Sequence, residues 1–110
     1  MIHKLNLKRI PFNCIKNNTK KYEIRLNSKT RRNIKVNDII CFTYQDKSIL
    51  KKVKNKYVFN SLYECFEILN INLVLPKLPI KTKISAICHY SSMYSQERIE
   101  RHNIVSFELF

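Results

Sequence analysis

The sequence has no glycine among its 110 residues. This absence excludes the phosphate-binding loops that depend on glycine, namely the P-loop, the dinucleotide-binding turn and the kinase loop. The EF-hand loop, which needs a central glycine, is excluded as well. Where the backbone requires a positive φ, Asn is the next most tolerant residue. Asn occurs twelve times, so we expect Asn to occupy such positions.

Clustered cysteines are also missing. The four cysteines, Cys14, Cys41, Cys65 and Cys88, lie 23 to 27 residues apart and form no C-x-x-C pair. This spacing argues against a zinc ribbon or a redox pair. We therefore expect no metal and no cofactor, and we interpret the thiols as small buried hydrophobic groups.

Long apolar runs are absent too. No segment approaches the roughly 18 apolar residues that a membrane-spanning helix needs. Residues 1–9 contain no uninterrupted apolar stretch of the kind that is typical of a signal peptide. The sequence thus predicts a cytoplasmic protein without a membrane partner.

Acidic residues are few, since eight Asp and Glu stand against 21 Lys and Arg, and the formal charge is +13. Residues 1–35 contain eleven of the basic residues and a single acid, Glu23, so they carry +10 of that total. A codon bias would enrich Lys evenly, whereas this excess lies in one third of the chain. Such a local potential attracts polyanions, and we expect RNA or a nucleotide as the partner. An acidic protein that binds the same basic residues is the alternative, and the oligomeric state is left open.

Seven basic residues are our candidates for contacts with nucleic-acid phosphates. They are Lys16, Lys21, Arg31, Arg32, Lys52, Lys54 and Lys56. The last three alternate along one predicted strand, and their blander interpretation is a solvated strand edge.

Hydrophobic residues make up 45% of the chain, which is enough for a single domain over residues 1–110. Hydrophobic spacing and turn residues predict strands at 2–8, 22–26, 38–44, 48–59 and 104–110. They predict helices from Pro11 to Asn17-Asn18, from the Ser61 capping box onward, within 81–93, and over 96–102. Polar residues 27–37 and the pair Pro76 and Pro79 predict loops. This mixture predicts the α+β class, as a small mixed β-barrel with surrounding helices.

Residues 18–25, Asn-Thr-Lys-Lys-Tyr-Glu-Ile-Arg, follow the first predicted helix and lead into a strand. They resemble the ASCH family of small PUA-like barrels, whose signature is G-x-K-x-x-E-x-R. Lys20, Glu23 and Arg25 match its three charged positions, and Asn18 stands where the family has Gly.

The resemblance continues along nearly the whole chain. Residues 34–42 look like the family's I-K-V-G-D-x-I-x-F segment, with Asn37 in place of Gly. Residues 61–64 resemble its S-F-E-E helix start. Residues 94–97 and 103–105 resemble its closing Y-S-x-E and Y-G-V pieces. Each piece alone is common, but the ordered set is fairly specific.

The resemblance implies a PUA-like barrel with a cleft lined by Lys20, Glu23 and Arg25. Members of the family are thought to bind RNA or modified nucleosides. Some are small hydrolases, including an amidohydrolase that acts on N4-acetylcytidine, and some are described as ribonucleases. The amidohydrolase members carry Thr at the position of Glu23. The sequence therefore predicts an RNA-binding or nucleotide-binding domain, with a small hydrolase as the alternative, and leaves open whether the chain is an enzyme.

The three charged residues suit a nucleotide. Glu23 and Arg25 project from the same face of a strand, and Lys20 can reach the same space from the preceding loop. Arg25 could hold a phosphate through two hydrogen bonds, and Glu23 could accept one from the exocyclic amine of a base. Aromatic rings provide stacking surfaces, and the candidates are Tyr44, Tyr90 and Tyr94.

In an enzyme the same residues would take other roles. A desolvated Lys20 beside Arg25 would have a lowered pKa and could act as a base or nucleophile. Glu23 could pass a proton to the leaving amine. The blander interpretation is an exposed Glu23–Arg25 pair that contributes roughly 0–1 kcal/mol, with Lys20 solvated. The histidines have no partner that the sequence identifies, so we interpret His3, His89 and His102 as non-catalytic.

Overall fold

The computed structural model describes residues 1–77 and 82–110, which form an α+β fold. Five strands lie in these residues: β1 (Ile2–Asn6), β2 (Tyr22–Leu26), β3 (Ile39–Tyr44), β4 (Lys47–Phe59) and β5 (Ile104–Leu109). The same residues form the helices α1 (Arg9–Lys16), α2 (Lys29–Arg32), α3 (Leu62–Ile68), α4 (Ile71–Val74), α5 (Lys83–Ser91) and α6 (Gln96–His102).

The strands form one mixed sheet in the order β1-β3-β4-β5-β2. β1 pairs with β3 in parallel, and the other neighbours pair antiparallel. The long β4 pairs with β3 through its first half and with β5 through its second half. Its register shifts between Val53 and Asn55, and a bulge of this kind bends a strand and increases its twist. The sheet is therefore a half-barrel whose two edges are β1 and β2.

The side chains of β5 point alternately to two faces of the sheet, and each face is covered by its own core cluster. Val105, Phe107 and Leu109 belong to the first cluster, which also contains residues of β1, β3 and β4. Ile104 belongs to the second cluster, in which β2 packs against α3, α5 and α6. Because successive side chains of a strand point to opposite faces, β5 is buried on both sides and lies between the two clusters.

The predicted capping residues begin and end the helices. The Ser61 side chain accepts a hydrogen bond from the backbone N–H of Glu64 at the start of α3. The Ser95 side chain accepts one from the N–H of Arg98 at the start of α6. Such caps satisfy N–H groups that a first helical turn leaves unpaired. Both predicted helix starts are confirmed.

Asn does occupy positions with a left-handed backbone. The φ angles are 64° at Asn18, 75° at Asn37 and 67° at Asn103. Asn18 follows α1, Asn37 precedes β3, and Asn103 lies between α6 and β5. Gln45, in the turn between β3 and β4, has a φ of 53° and was not expected there.

Some predicted elements differ from the observed ones. The polar segment 27–37, predicted as a loop, contains the one-turn helix α2. The one-turn helix α4 was not predicted either. A single helical turn has too few residues to show a hydrophobic period. The first strand ends at Asn6 rather than at residue 8. Cys14 and Cys65 are buried as expected, whereas Cys88 is exposed and Cys41 is half-buried. Pro79 and Lys81, parts of the predicted loop and helix, lie outside the described residues.

Candidate ligand-binding site

β2 and the residues before it position the three charged side chains of the ASCH-like signature. Ile24 and Leu26 are buried in the second core cluster. Glu23 and Arg25 therefore project from the opposite face of the strand. Lys20 lies just after the turn at Asn18, where backbone N–H groups of residues 19 and 20 both donate to the Cys14 carbonyl. The end of α1 thus fixes where Lys20 enters the site.

The three charged side chains meet at Glu23. Nε of Arg25 donates to Oε2 of Glu23 over 2.7 Å, and Nζ of Lys20 lies 3.5 Å from Oε1 of the same carboxylate. Lys20 also donates to the Val74 carbonyl over 2.6 Å. Nη2 of Arg25 donates to the carbonyl of Asn6 at the end of β1, also over 2.6 Å. Arg25 therefore connects the two edges of the half-barrel.

Burial gives this cluster unusual electrostatics. The Lys20 side chain is 3% exposed and that of Glu23 is 7% exposed. Burial lowers the pKa of Lys20, and the Glu23 carboxylate offsets part of this effect. Burial would also lower the pKa of Arg25, but the Glu23 carboxylate outweighs it and raises that pKa. The blander interpretation of a solvated Lys20 and an exposed pair is wrong, because both partners of Glu23 are substantially desolvated.

The cluster lies at a cavity of about 630 Å³ between the edges of the half-barrel. Its walls come from the end of β1 through the first turn of α1 (residues 6–11), strand β2, the segment after α4 and helix α5. The lining includes apolar residues such as Ile10, Leu75 and Met93. This volume falls within the range of roughly 300–1,000 Å³ that is typical of small-molecule sites.

Two tyrosines form one wall of the cavity. Tyr90 on α5 and Tyr94 just after it both line it, and their rings are near parallel, 14° apart with centroids 6.4 Å apart. Burial raises the pKa of Tyr90 well above its usual value, and the Glu23 carboxylate adds to the rise. Burial also raises the pKa of Tyr94, while the guanidinium groups of Arg25 and Arg31 partly offset that effect. Both phenols are therefore neutral at physiological pH and can act as hydrogen-bond donors.

Basic residues that were not predicted to belong to the site also line the cavity. They are Lys8 and Arg9 before and within α1, Lys77 after α4, and His89 on α5. Burial, together with Lys20 and Lys8, lowers the pKa of His89, which favours the neutral imidazole. No local pattern marks His89. Its place at the cavity follows from the docking of α5 against α3, where Tyr90 packs 5.9 Å from the Phe66 ring.

The third aromatic candidate lies elsewhere. Tyr44, at the end of β3, is outside the cavity lining, and its ring lies 5.9 Å from the ring of Phe12. The cavity thus brings together Lys20, Glu23, Arg25, Tyr90 and Tyr94.

The seven basic candidates for phosphate contacts lie outside the main cavity. Lys16, Arg32, Lys52 and Lys54 are exposed, whereas Lys21, Arg31 and Lys56 are half-buried. Nζ of Lys56 donates to the Arg32 carbonyl over 3.1 Å, so these two residues lie side by side. Nζ of Lys54 lies 5.8 Å from the Phe110 ring centroid. Arg31 lines a smaller second cavity.

The histidines are less isolated than the sequence suggested. Nε2 of His3 lies 2.8 Å from Oδ2 of Asp38, and His89 lines the main cavity. Among residues 1–77 and 82–110, no group of three His, Cys, Asp or Glu side chains is arranged to hold a metal ion. No helix in the same part of the chain is long and apolar enough to cross a membrane.

Comparison with known proteins finds similar solved structures, and two of them match nearly the whole chain. The crystal structure of hypothetical protein PH0355 has a TM-score of 0.89 at 32% identity, covering 99% of this chain and 97% of that one. The solution NMR structure of protein PF0455 from Pyrococcus furiosus has a TM-score of 0.78 at 30% identity, with coverage of 99% and 96%. No protein-family model and no curated protein matches the chain. The chain therefore belongs to the same protein family as PH0355 and PF0455.

Proposed function

We propose that the chain is an ASCH-type domain with a PUA-like barrel, and that it binds RNA with one base held in the main cavity. The mixed half-barrel sheet is compatible with such a barrel. The backbone at Asn18 and Asn37 also supports the proposal, because both have a positive φ where the family signature has glycine. Asn can replace glycine at such a position because its short polar side chain tolerates the left-handed region.

A single observation carries the proposal: Glu23 sits between Lys20 and Arg25 at a cavity walled by two tyrosine rings. A guanidinium has five N–H donors. Two N–H groups of Arg25 donate hydrogen bonds to Glu23 and Asn6. The remaining N–H groups donate to no residue that the structure describes. The side chain is 17% exposed and lines the cavity, where a ligand can contact it.

These groups match the parts of a nucleotide. The half-buried ring of Tyr94 offers apolar surface for a planar base, while Tyr90, 5% exposed, packs behind it in the core. Base–aromatic stacking contributes about 1–3 kcal/mol per base. The free donors of Arg25 suit a carbonyl or phosphate oxygen, and the second lone pairs of Glu23 suit an exocyclic amine. Lys8, Arg9 and Lys77 add positive charge around the same cavity, where it can attract a phosphate.

Binding to single-stranded RNA at several salt concentrations tests the proposal. We expect the logarithm of the affinity to fall linearly with the logarithm of the salt concentration, by about 0.7 for each phosphate contacted. Arg25→Lys should weaken binding because Lys cannot reproduce the planar donor set. Arg101→Lys is the matched control, since Arg101 pairs with Glu97 on α6, outside the cavity.

Two results would contradict RNA binding in the cavity. The first is a flat response to salt. The second is equal affinity in the Arg25→Lys and Arg101→Lys variants. Competition by polyglutamate as efficient as competition by RNA of equal charge would instead favour an acidic protein as the partner.

A hydrolase acting on an acylated nucleoside is the second candidate, and the lowered pKa of Lys20 favours it. A neutral Lys20 amine could remove a proton from a water molecule that attacks the acyl carbonyl, while Arg25 stabilises the developing oxyanion. Glu23 could relay the proton to the leaving amine, so that water and amide give a carboxylic acid and an amine. N4-acetylcytidine is the substrate to assay. Lys20→Met should abolish turnover while the fold survives, and turnover that persists in this variant would exclude the mechanism.

A further inference from the structure

A second cavity of about 350 Å³ lies between β1 and α2. His3, Lys4 and Leu5 line it from the strand, Thr30 and Arg31 line it from the helix, and Ile34 completes it. Consecutive residues of β1 line the two cavities, since Leu5 lines the second and Asn6 lines the first. Arg31 also acts electrostatically on Tyr94, which belongs to the main cavity.

The polar residues that line the second cavity include hydrogen-bond donors but no Asp or Glu. Lys4 and Arg31 are cationic, and Thr30 carries a hydroxyl. One lining residue, His3, contacts an acid: its Nε2 lies 2.8 Å from Oδ2 of Asp38. The same oxygen accepts a hydrogen bond from the backbone N–H of Lys35 over 3.1 Å. Asp38 is thus occupied by its own partners, and the cavity presents mainly positive charge.

Arg31 has a donor without an acceptor. Its Nη1 donates to Oγ1 of Thr30 over 3.1 Å. Its Nε is buried and has no hydrogen-bond partner among residues 1–77 and 82–110. A buried donor without a partner is unfavourable. The Arg31 side chain is only half-buried, and its rotation would turn Nε toward an anion bound in the cavity. The fixed fork of a guanidinium is the group best matched to phosphate oxygens.

We propose that the second cavity binds a backbone phosphate of the RNA, next to the nucleotide whose base occupies the main cavity. Arg31 donates to the phosphate from Nε, and Lys4 and Thr30 contribute charge and a hydroxyl donor. The assignment to RNA rests on the proposed function, whereas the assignment to phosphate rests on the donors of the second cavity alone.

Calorimetry with two probes separates this subsite from the main cavity. Cytidine has a base and no phosphate, and a trinucleotide with a central cytidine has both. We expect Arg31→Gln to weaken trinucleotide binding about tenfold, as loss of a hydrogen bond to a charged group does. The salt dependence should also fall by about 0.7 in slope. Cytidine affinity should not change. Arg101→Gln, an equal change of charge on α6, is the control.

The outcomes are distinct. Equal trinucleotide affinity in Arg31→Gln and Arg101→Gln would overturn the subsite even if cytidine binds. If the unaltered protein binds neither cytidine nor the trinucleotide, the proposed function fails, and titration with inorganic phosphate decides the subsite. A chemical-shift change at the Nε–H of Arg31 would then support a phosphate site, and an unmoved resonance would overturn it. The dispersion of the amide spectrum reports whether each variant is folded.

Discussion

Nε of Arg25 donates to the carboxylate of Glu23 over 2.7 Å, although the two residues are only two positions apart on β2. Residues at this spacing share a face of the strand, so the pair forms without bending the backbone. The pair is unusual because Lys20 approaches the same carboxylate from the preceding loop and is almost completely buried. A single acid therefore compensates two cations inside a cavity, and this arrangement gives the first prediction.

Glu23→Gln should destabilise the protein strongly. The substitution preserves the shape of the side chain but leaves Lys20 buried without a counter-charge, and removal of one partner from a buried pair costs about 3–5 kcal/mol. Urea unfolding near neutral pH measures the free energy of unfolding. Glu97→Gln removes an exposed partner of Arg101 and should cost less than about 1 kcal/mol. Equal losses for the two variants would show that Glu23 is not required to compensate Lys20.

Lys20 should make stability depend on pH. Burial lowers its pKa in the folded protein, whereas an unfolded chain has a Lys pKa of about 10.4. Between these two values the unfolded state binds more protons, so the contribution of Lys20 to stability rises with pH and is complete above about 10.4. The same contribution is lost as pH falls through the folded pKa.

The corresponding measurement is the difference in unfolding free energy between the unaltered protein and Lys20→Met, followed from about pH 8 to about pH 10. As pH rises, the unfolding free energy of the unaltered protein should increase relative to that of Lys20→Met. Lys47→Met, at an exposed position on β4, controls for the loss of one lysine elsewhere. A difference that stays constant over this range would mean that the folded pKa of Lys20 is not lowered.

Replacement of Asn37 by glycine should preserve stability, whereas replacement by alanine should lower it. Its φ of 75° lies in the left-handed region, which costs an ordinary residue with a Cβ about 1–2 kcal/mol. Asn37→Gly should therefore be neutral or stabilising, and Asn37→Ala should destabilise by about 1 kcal/mol. Asn33→Ala is the control, because Asn33 has a φ of −77°. Thermal unfolding that ranks Asn33→Ala as the more damaging substitution would contradict this account.

Tyr94 should contribute to base binding through its ring. It lines the main cavity beside Tyr90, and loss of a stacking ring costs about 1–3 kcal/mol, or roughly tenfold or more in affinity. Cytidine binding measured by calorimetry should weaken accordingly in Tyr94→Ala. Tyr63→Ala removes an exposed ring on α3 that lies beneath Lys83, outside the cavity. Equal effects of the two substitutions would argue against stacking on Tyr94.

The local parts of the site could be predicted from the sequence. Alternation along 22–26 placed Glu23 and Arg25 on one face, and the ASCH-like signature added Lys20. Positive φ at Asn18 followed from the absence of glycine and the need for a turn after α1. These inferences rest on residues close together in the chain, where backbone geometry limits the outcome.

The remaining parts depend on contacts between distant segments. Lys20 donates to the Val74 carbonyl 54 residues away, and Arg25 reaches the Asn6 carbonyl 19 residues away. Every residue has a backbone carbonyl, so the sequence does not indicate which carbonyl a distant side chain will contact. His89 and Tyr90 reach the cavity only because α5 docks on α3, and the sequence did not indicate that docking. For the same reason Tyr44, an equally plausible ring from composition, lies against Phe12 instead.

Titration of the isotope-labelled protein with cytidine monophosphate, followed by NMR, shows whether a nucleotide occupies the main cavity. We expect the Nε–H of Arg25 and the ring signals of Tyr90 and Tyr94 to shift together with a single affinity, while Tyr63 stays unchanged. Shifts confined to the lysines of β4, with Arg25 and both tyrosines unmoved, would contradict this expectation.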